Sequence, residues 1–368
     1  ERVFYFSDVI EQLYQLFKKS TGVSTDTRTL KHGNLFFALK GSSFNGNKFA
    51  TKALELGASC VVIDEAQFEI EGKTFLVNDV LTALQQLANF HRRTLKIPVI
   101  AIGGSNGKTT TKELTASVLS QNFKTFHTKG NLNNHIGVPL SLLSINEQVE
   151  IAIIELGANH LKETMFLCQI AEPTCGLITN NGKDHLEGYG SIDGVRKGNA
   201  ELFQYLNEHE GTAFISSMQN DLMDVVKPLK FLTYGLNETD FVLGKILNSF
   251  PTLVVELKTD KHLQKVQSDL YGTYNLENIL AASCIGKYFG LNDQQIKSGI
   301  ENYHPANNRS QIVQKDSNTF IMDCYNANPS SMKVAIENFA NMTGSNKILM
   351  LGGMMGPMMA VEAVRAAE

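Results

Sequence analysis

A glycine-rich stretch in the first third of the chain has the residue types of a phosphate-binding loop. Residues 99–110 read VIAIGGSNGKTT, close to the nucleotide-binding pattern G-x-x-x-x-G-K-[ST], although Ile102 stands where that pattern has its first glycine. A strand that turns into a helix at Lys108 directs backbone N–H groups at a phosphate, with the lysine as counter-charge. An ordinary Gly-Asn turn before a helix is the alternative. The expected nucleotide-binding residues are Gly104, Ser105, Asn106, Gly107, Lys108, Thr109 and Thr110.

Three more polar residues are candidates for a role at the phosphate site. Glu155 ends the apolar run EIAIIE, and a buried carboxylate there needs an ion-pair partner or a metal, unless it reaches solvent. His185 follows CGLITNNGKD, but imidazole is a less usual Mg2+ ligand than oxygen, and a lone histidine is more often structural. Lys197 lies at the start of a predicted helix, where lysines are usually solvated. The residue types alone leave all three roles open.

Three predicted strands carry these residues towards one place. The runs at 99–103, 150–155 and 175–180 alternate with helical patterns, as expected for a parallel sheet covered on both faces. The carboxyl ends of such strands lie at one edge, where doubly wound folds bind ligands. The sequence therefore predicts an α/β fold in which the phosphate loop and the other two strand ends converge.

Proline positions and breaks in the strand and helix alternation predict three domains. Ile97-Pro98 closes a first segment of short strands and helices, because proline disfavours helix in the residue before it. The alternation restarts beyond Tyr303-His304-Pro305. The predicted domains are 1–96, 97–303 and 304–368.

The composition excludes several classes of protein. The 368 residues are 43% hydrophobic and 19% charged with a net charge of -4, so general attraction to nucleic acid is not expected. Five scattered cysteines without a C-x-x-C pair indicate neither a disulfide framework nor a zinc site. No apolar run approaches the ~18 residues that a membrane span needs, and the first residues are unlike a signal peptide. We therefore expect a cytoplasmic protein without a membrane span.

Several segments resemble the ATP-dependent Mur ligases of peptidoglycan synthesis. The short phosphate loop GSNGKTT has the form seen in that family, and similar signatures are GNLNNHIGVPLSLL, IELGANH, ITNNGKDHLEGYGS, GVRKGNAELF and DCYNANPSSM. The resemblance implies three domains, with a central P-loop parallel sheet and a Rossmann-like C-terminal domain. After KILMLGG the family continues with Asp and then Glu-Leu-Gly, whereas this chain reads MMGPMMAVEAVRAAE. The third domain is therefore expected to be truncated here.

The resemblance also implies roles for the candidate residues. Mg2+ would be held by Thr109, Glu155, His185 and Lys197, the last of which would be carbamylated and so become an anionic ligand. Asn275 and Asn278 would contact adenine, although helix capping is their alternative role. The expected catalytic residues are Lys108, His185, Lys197 and Arg309. The expected contacts with the ATP phosphates and ribose are Arg309 and Asp323.

The first domain resembles the segment with which the family holds a uridine diphosphate sugar. It reads STDTRTLKHGNLFFALKGSSFNGNKFATKALELGASCVVID, with Asn45-Gly46-Asn47 where the family usually has Asp-Gly-His. The expected substrate-binding residues, in this domain and beyond it, are Thr27, Arg28, Asn45, Gly46, Asn134, Tyr325, Asn326 and Asn328.

The similarity is greatest to the family member that joins D-alanyl-D-alanine to UDP-N-acetylmuramoyl-tripeptide through an acyl phosphate. It implies a monomer with ATP and Mg2+ as cofactors, the two small molecules as substrates and no nucleic acid partner. A folylpolyglutamate synthase is one alternative, which the DCYNANPSSM loop disfavours. A nucleotide-dependent switch is the other, since it would use the same loop without joining two substrates.

Overall fold

The structure is a computed structural model that describes residues 8–183, 185–223, 229–260, 262–306, 308–325, 327–342, 346–352 and 364–365. In this part of the chain the α-helices are α1 (Asp8–Lys19), α2 (Ala50–Glu55), α3 (Val80–Thr94), α4 (Lys108–Leu119), α5 (Gly137–Leu143), α6 (Glu163–Ala171), α7 (Leu186–Tyr189), α8 (Ile192–Glu208), α9 (Asn220–Met223), α10 (Asn275–Tyr288), α11 (Asp293–Glu301) and α12 (Pro329–Asn341). No helix among these residues is long and apolar enough to cross a bilayer.

The strands over the same residues are β1 (Val23–Ser24), β2 (Leu35–Phe37), β3 (Lys40–Gly41), β4 (Phe44–Asn45), β5 (Cys60–Ile63), β6 (Thr74–Leu76), β7 (Val99–Gly103), β8 (Thr125–His127), β9 (Ile151–Glu155), β10 (Cys175–Ile178), β11 (Thr212–Ser216), β12 (Lys230–Gly235), β13 (Val242–Asn248), β14 (Val254–Lys258), β15 (Leu263–Gln267), β16 (Gln311–Lys315), β17 (Asn318–Met322), β18 (Ile348–Leu349) and β19 (Val364–Arg365).

A nine-stranded sheet forms the centre of the molecule, in the order β15-β14-β13-β12-β11-β10-β7-β9-β8. Strands β7 to β13 pair in parallel, whereas β13, β14 and β15 pair antiparallel. The prediction of a parallel α/β sheet is therefore confirmed. Because β7 lies between β10 and β9, the three predicted strand ends are neighbours.

Each central strand is buried on both faces, as its continuous apolar run predicts. Along β7, Val99 and Ala101 join one apolar cluster while Ile100 and Ile102 join the other. Helices α4 and α10 cover the second face with residues such as Leu114. This two-sided cover leaves the strand ends as the place where polar side chains gather.

The first segment forms a small parallel sheet in the order β1-β2-β5-β6. Its helix α3 also packs on α5 and α6 of the central segment. At the end of α3 the guanidinium of Arg92, only 6% exposed, donates to the carbonyl oxygens of Ala171 and Glu172, each at 2.9 Å. One apolar cluster therefore continues from the first segment into the central one.

The third segment begins with the antiparallel hairpin β16-β17, followed by α12 and the short pair β18-β19. Helix α12 has Asn328 as its N-cap and Pro329 as its first residue. Its Asn338 side chain accepts a hydrogen bond from the Thr273 backbone at 3.1 Å, which ties the helix to the central segment. The last residues of the unusual tail, 353–363 and 366–368, lie outside the described part.

Candidate active site

The phosphate loop lies between β7 and α4, and α4 begins at Lys108 as predicted. Gly104 and Gly107 have φ of 112° and 83°, a region that side chains rarely adopt. A Cβ on Gly107 would lie 2.8 Å from Asn278 Oδ1. Glycine is thus required at Gly107 both by its own backbone and by the close approach of α10.

The Lys108 side chain lies back over this loop. Its ammonium donates to the carbonyl oxygen of Ser105 at 2.9 Å and also to that of Gly104. The positive charge therefore stands beside the turn at the amino end of α4, where a helix favours an anion.

Hydrogen bonds join the end of β10 to the phosphate loop. Asn180 Oδ1 accepts from the Asn106 backbone N–H at 3.1 Å, and Asn180 Nδ2 donates to the Asn106 carbonyl at 3.0 Å. The Gly182 N–H donates to Ser105 Oγ at 2.8 Å. The segment that leads to His185 is thus fixed against the loop.

Glu155 ends β9 with only 3% of its surface exposed, so the solvent-facing alternative does not hold. Its carboxylate accepts from Thr109 Oγ1 at 3.1 and 3.3 Å and from Asn133 Nδ2 at 2.9 Å. The ammonium of Lys112 lies 3.4 Å from Oε2. The phosphate loop and the end of β9 therefore meet at one buried carboxylate.

Lys112 and Asn133 are the contacts of Glu155 that sequence reasoning missed. Lys112 is 1% exposed, which is rare for a lysine unless it is paired. A signal was present in GKTTTK, because Lys112 follows Lys108 by four residues and so lies on the same side of the helix. Asn133 gave no such signal, because its contact with Glu155 depends on how the residue 128–135 segment lies against the edge of the sheet.

His185 lies just before α7 with a left-handed backbone, φ 47°. Its Nδ1 is 3.7 Å from Glu187 Oε1, and its side chain is 39% exposed. Among the residues described, no three His, Cys, Asp or Glu side chains form a metal-binding group. The roles of His185 and Glu155 as joint Mg2+ ligands stay predictions.

Lys197 lies in the second turn of α8, because that helix begins at Ile192, earlier than the sequence suggested. It is exposed and lines an open cleft of about 470 Å3 with Lys162 and Glu201. The Glu201 carboxylate accepts from the Lys162 backbone N–H at 2.6 Å. Carbamylation of Lys197 also stays a prediction.

Two buried asparagines connect α10 with its surroundings. Asn278 Oδ1 accepts from Thr111 Oγ1 at 3.0 Å, and Asn278 Nδ2 donates to Asn275 Oδ1 at 2.7 Å. Asn275 Nδ2 donates to the Tyr271 carbonyl at 2.7 Å. Neither is the N-cap of α10, which is Tyr274, so the capping alternative does not describe them.

The start of the third segment approaches the same region. Burial raises the pKa of Asp323, whose carboxylate accepts from the Ser310 N–H and the Tyr274 hydroxyl, each at 3.3 Å. The guanidinium of Arg309 lies over the Tyr325 ring, 3.9 Å from its centroid. Buried Arg309 Nε has no hydrogen-bond partner among the described residues.

Asn328 connects the third segment directly with the phosphate loop. Its Nδ2 donates to Asn106 Oδ1 at 2.7 Å, while its Oδ1 caps α12 through the Ser331 N–H at 2.8 Å. The Asn134 side chain likewise accepts from backbone N–H groups at the start of α5, those of Ile136 and Gly137. Asn326 lies outside the described residues.

The candidate substrate residues of the first segment lie in two turns. Arg28, exposed beside Thr27, forms an ion pair with Asp26 that lowers the pKa of this carboxyl to about 2. In the second turn Asn45 Nδ2 donates to a carboxylate oxygen of Glu65 at 2.9 Å. A Cβ on Gly46 would lie 2.4 Å from the Leu39 carbonyl, so glycine is required there.

Asn47, where the resembling family has histidine, is fully buried. Its Nδ2 donates to Asp64 Oδ1 at 2.8 Å, and its Oδ1 accepts from the Asp64 N–H at 3.0 Å. These two bonds fasten the turn to the end of β5. The departure from the family pattern therefore fills a structural position here.

Family models match the chain in three consecutive blocks. The Mur ligase family catalytic domain matches residues 19–92, the Mur ligase middle domain 102–286, and the Mur ligase glutamate ligase domain 308–367.

Relatives and solved structures agree with these models. UDP-N-acetylmuramoyl-tripeptide--D-alanyl-D-alanine ligase of Bacillus subtilis is 34% identical over 91% of this chain and 73% of the relative. The Escherichia coli protein of the same name is 36% identical over 90% and 74%. A crystal structure of MurF from Acinetobacter baumannii has a TM-score of 0.82 and 29% identity, over 94% of this chain and 79% of that one. The chain belongs to the Mur ligase family.

Proposed function

We propose that the chain is an ATP-dependent, ADP-forming ligase that joins D-alanyl-D-alanine to UDP-N-acetylmuramoyl-tripeptide, a step of peptidoglycan precursor synthesis. The family and the names of the relatives at 34% and 36% identity support this substrate pair. The observation that carries the proposal is the meeting of Thr109 and Glu155 behind the Lys108 loop. ATP and a UDP-sugar as substrates place the reaction in the cytoplasm, and we expect a monomer.

The chemistry requires an activated carboxyl group, because an oxide leaving group is too poor for direct amide formation. The terminal carboxylate of the tripeptide attacks the γ-phosphorus of ATP, the bond to the bridging oxygen breaks, and ADP leaves. The D-alanyl-D-alanine amine then attacks the acyl phosphate carbon, loses a proton and expels phosphate. Lys108 and the loop N–H groups hold the charge of the transferring group in place, which is the main catalytic contribution in phosphoryl transfer.

Glu155 at the end of β9 and Thr109 in α4 fit a magnesium ion. Glu155 and Thr109 offer hard oxygen donors within 3.1 Å of one another, the ligand type that Mg2+ prefers. When bound, the ion would neutralise charge on the phosphates. We propose His185 and carbamylated Lys197 as further ligands on the strength of the family resemblance.

The remaining candidate residues are assigned by their positions around this centre. Asn275 and Asn278 would face the adenine, and Arg309 and Asp323 the phosphates and ribose. The unpartnered Arg309 Nε supports an anionic partner for that side chain. The substrate side is assigned to Thr27, Arg28, Asn45, Gly46, Asn134, Tyr325, Asn326 and Asn328.

A ligation assay tests the proposed function. The protein is incubated with ATP, D-alanyl-D-alanine and a UDP-tripeptide ending in either lysine or diaminopimelate, and the pentapeptide is sought by mass spectrometry. We expect product only when all three are present, with one ADP formed for each bond. A folylpolyglutamate synthase would extend a folate acceptor instead, and a nucleotide switch would hydrolyse ATP without both substrates.

A further inference from the structure

Lys112 is a buried cation for which the proposed chemistry has no use as stated. It is 1% exposed, lies one turn along α4 from Lys108, and its ammonium lies beside carboxylates, whereas that of Lys108 contacts the loop carbonyls. Removing an ammonium from water is costly unless opposite charges surround it. The burial of the Lys112 ammonium at this edge of the sheet therefore needs a physical explanation.

Two carboxylates flank the Lys112 ammonium. Glu155 Oε2 lies 3.4 Å from Nζ, and Glu113 Oε1 lies 3.9 Å from it. Glu113 is itself held by the Tyr303 hydroxyl, which donates to Oε2 at 2.9 Å. The ammonium thus has two carboxylate partners, of which Glu113 is also held by Tyr303.

The contacts of Glu155 show what this arrangement fixes. Lys112 holds Oε2 and Asn133 holds Oε1, so both oxygens are restrained and Thr109 Oγ1 lies within hydrogen-bond distance of the pair. Without the ammonium, a carboxylate that is 3% exposed would lose its charged partner and keep only the contacts with Asn133 and Thr109 among those named here.

We propose that Lys112 is a positioning residue, whose ammonium holds the Glu155 carboxylate in the orientation that faces Thr109 and the phosphate loop. This inference rests on the proposed function, in that Glu155 is taken to serve Mg2+. Groups that orient a metal ligand from behind typically contribute about 10- to 100-fold to metal affinity. A charge that merely repels the ion would have the opposite effect.

The test measures ADP binding by calorimetry with Mg2+ and again with EDTA. The Kd in EDTA divided by the Kd in Mg2+ reports how far the metal strengthens nucleotide binding, independently of turnover. For Lys112→Met we expect this ratio to fall by about 10- to 100-fold. Binding in EDTA should stay within a few-fold of the original, because Lys108 and the loop are untouched.

Two further variants keep the test decisive. Lys112→Met/Glu113→Gln removes one positive and one negative charge, so the net charge of the cluster with Glu155 stays at its original value, and it should show the same reduced ratio. Arg92→Met removes another buried cation, whose guanidinium donates to the backbone carbonyls of Ala171, Leu95 and Glu172. It should lower the unfolding temperature and leave the ratio unchanged.

An unchanged or increased ratio in both Lys112 variants would overturn the positioning role. Failure of the proposed function shows elsewhere, as unaltered protein that binds no nucleotide or gives no ligation product.

Discussion

At the scale of single residues, the site is organised around the Glu155 carboxylate. It is buried, and Thr109, Asn133 and Lys112 satisfy it within 3.4 Å. A buried acid with this many partners has a fixed orientation, because each lost hydrogen bond to a charged group costs about 1.5–3 kcal/mol. The site is thus formed by the protein's own side chains.

Lys108→Ala tests the phosphate loop at this scale. We expect phosphate release in the ligation assay to fall by about 10²- to 10³-fold, since the variant lacks the fixed positive charge that stabilises the transferring phosphoryl group. The circular dichroism spectrum should be unchanged. Lys124→Ala, an exposed lysine beyond α4, is the matched control and should keep its activity. Near-normal turnover in Lys108→Ala would exclude the loop from the chemistry.

Lys197→Ala tests the carbamylated lysine. We expect activity to be lost and to return in part when short carboxylic acids are added, because they can replace the anionic oxygen. Lys162→Ala alters a lysine of the same cleft and should need no such rescue. Full activity in Lys197→Ala without any additive would remove the residue from the site.

Glu155 and Thr109 could be named as candidate site residues from the sequence, because each stands in a recognisable local pattern. Glu155 ends an apolar strand, and Thr109 belongs to the phosphate loop. It did not predict Lys112 or Asn133 as partners of Glu155. Those contacts depend on how α4 and the residue 128–135 segment lie against the sheet edge, which no local pattern encodes. The left-handed backbone conformation of His185 could not be predicted from the sequence either.

At the scale of elements, the turn from β7 into α4 fixes the geometry of the site. Its glycines are needed for backbone reasons, and α10 closes on Gly107 through Asn278. The helix start at Lys108 and the three adjacent strand ends were predictable, since continuous apolar runs mark buried parallel strands. The early start of α8 at Ile192 was missed, because Ser191 as its N-cap lies within a glycine-rich stretch.

Gly107→Ala tests this element. We expect a loss of about 1–2 kcal/mol in the free energy of unfolding from the left-handed backbone, together with weaker ADP binding. Gly290→Ala is a close control, because its φ of 82° matches the 83° of Gly107 while its surroundings are open. It should lose comparable stability in urea titrations and bind ADP normally. Equal ADP affinity in both variants would show that the close approach of Gly107 to α10 has no part in nucleotide binding.

At the scale of the whole molecule, the first and the third segment both pack against the central one. The division into three segments stays a prediction from the sequence, whereas the contacts between the segments are seen only in the structure. Helix α3 packs into the central segment, and Asn328 reaches Asn106 across 222 positions of sequence. Such long-range pairs depend on the relative placement of whole domains.

Asn328→Ala tests the connection between the third segment and the loop. We expect the loss of a cap worth about 1 kcal/mol and, in addition, a raised KM for ATP, because the bond to Asn106 is removed. Asn292→Ala removes the matching capping box of α11 and should lower stability without changing KM. If both variants shift KM alike, the Asn328 contact has no part in nucleotide binding.

The central claim is that the ends of β7, β9 and β10 enclose one metal-bound nucleotide. A crystal structure of the protein with Mg2+ and a non-hydrolysable ATP analogue tests this most directly. We predict the β- and γ-phosphates on the loop 104–109, with Mg2+ about 2.1 Å from Thr109 Oγ1 and beside the Glu155 carboxylate. Phosphates bound away from this loop, or a metal ion remote from Glu155, would contradict the account.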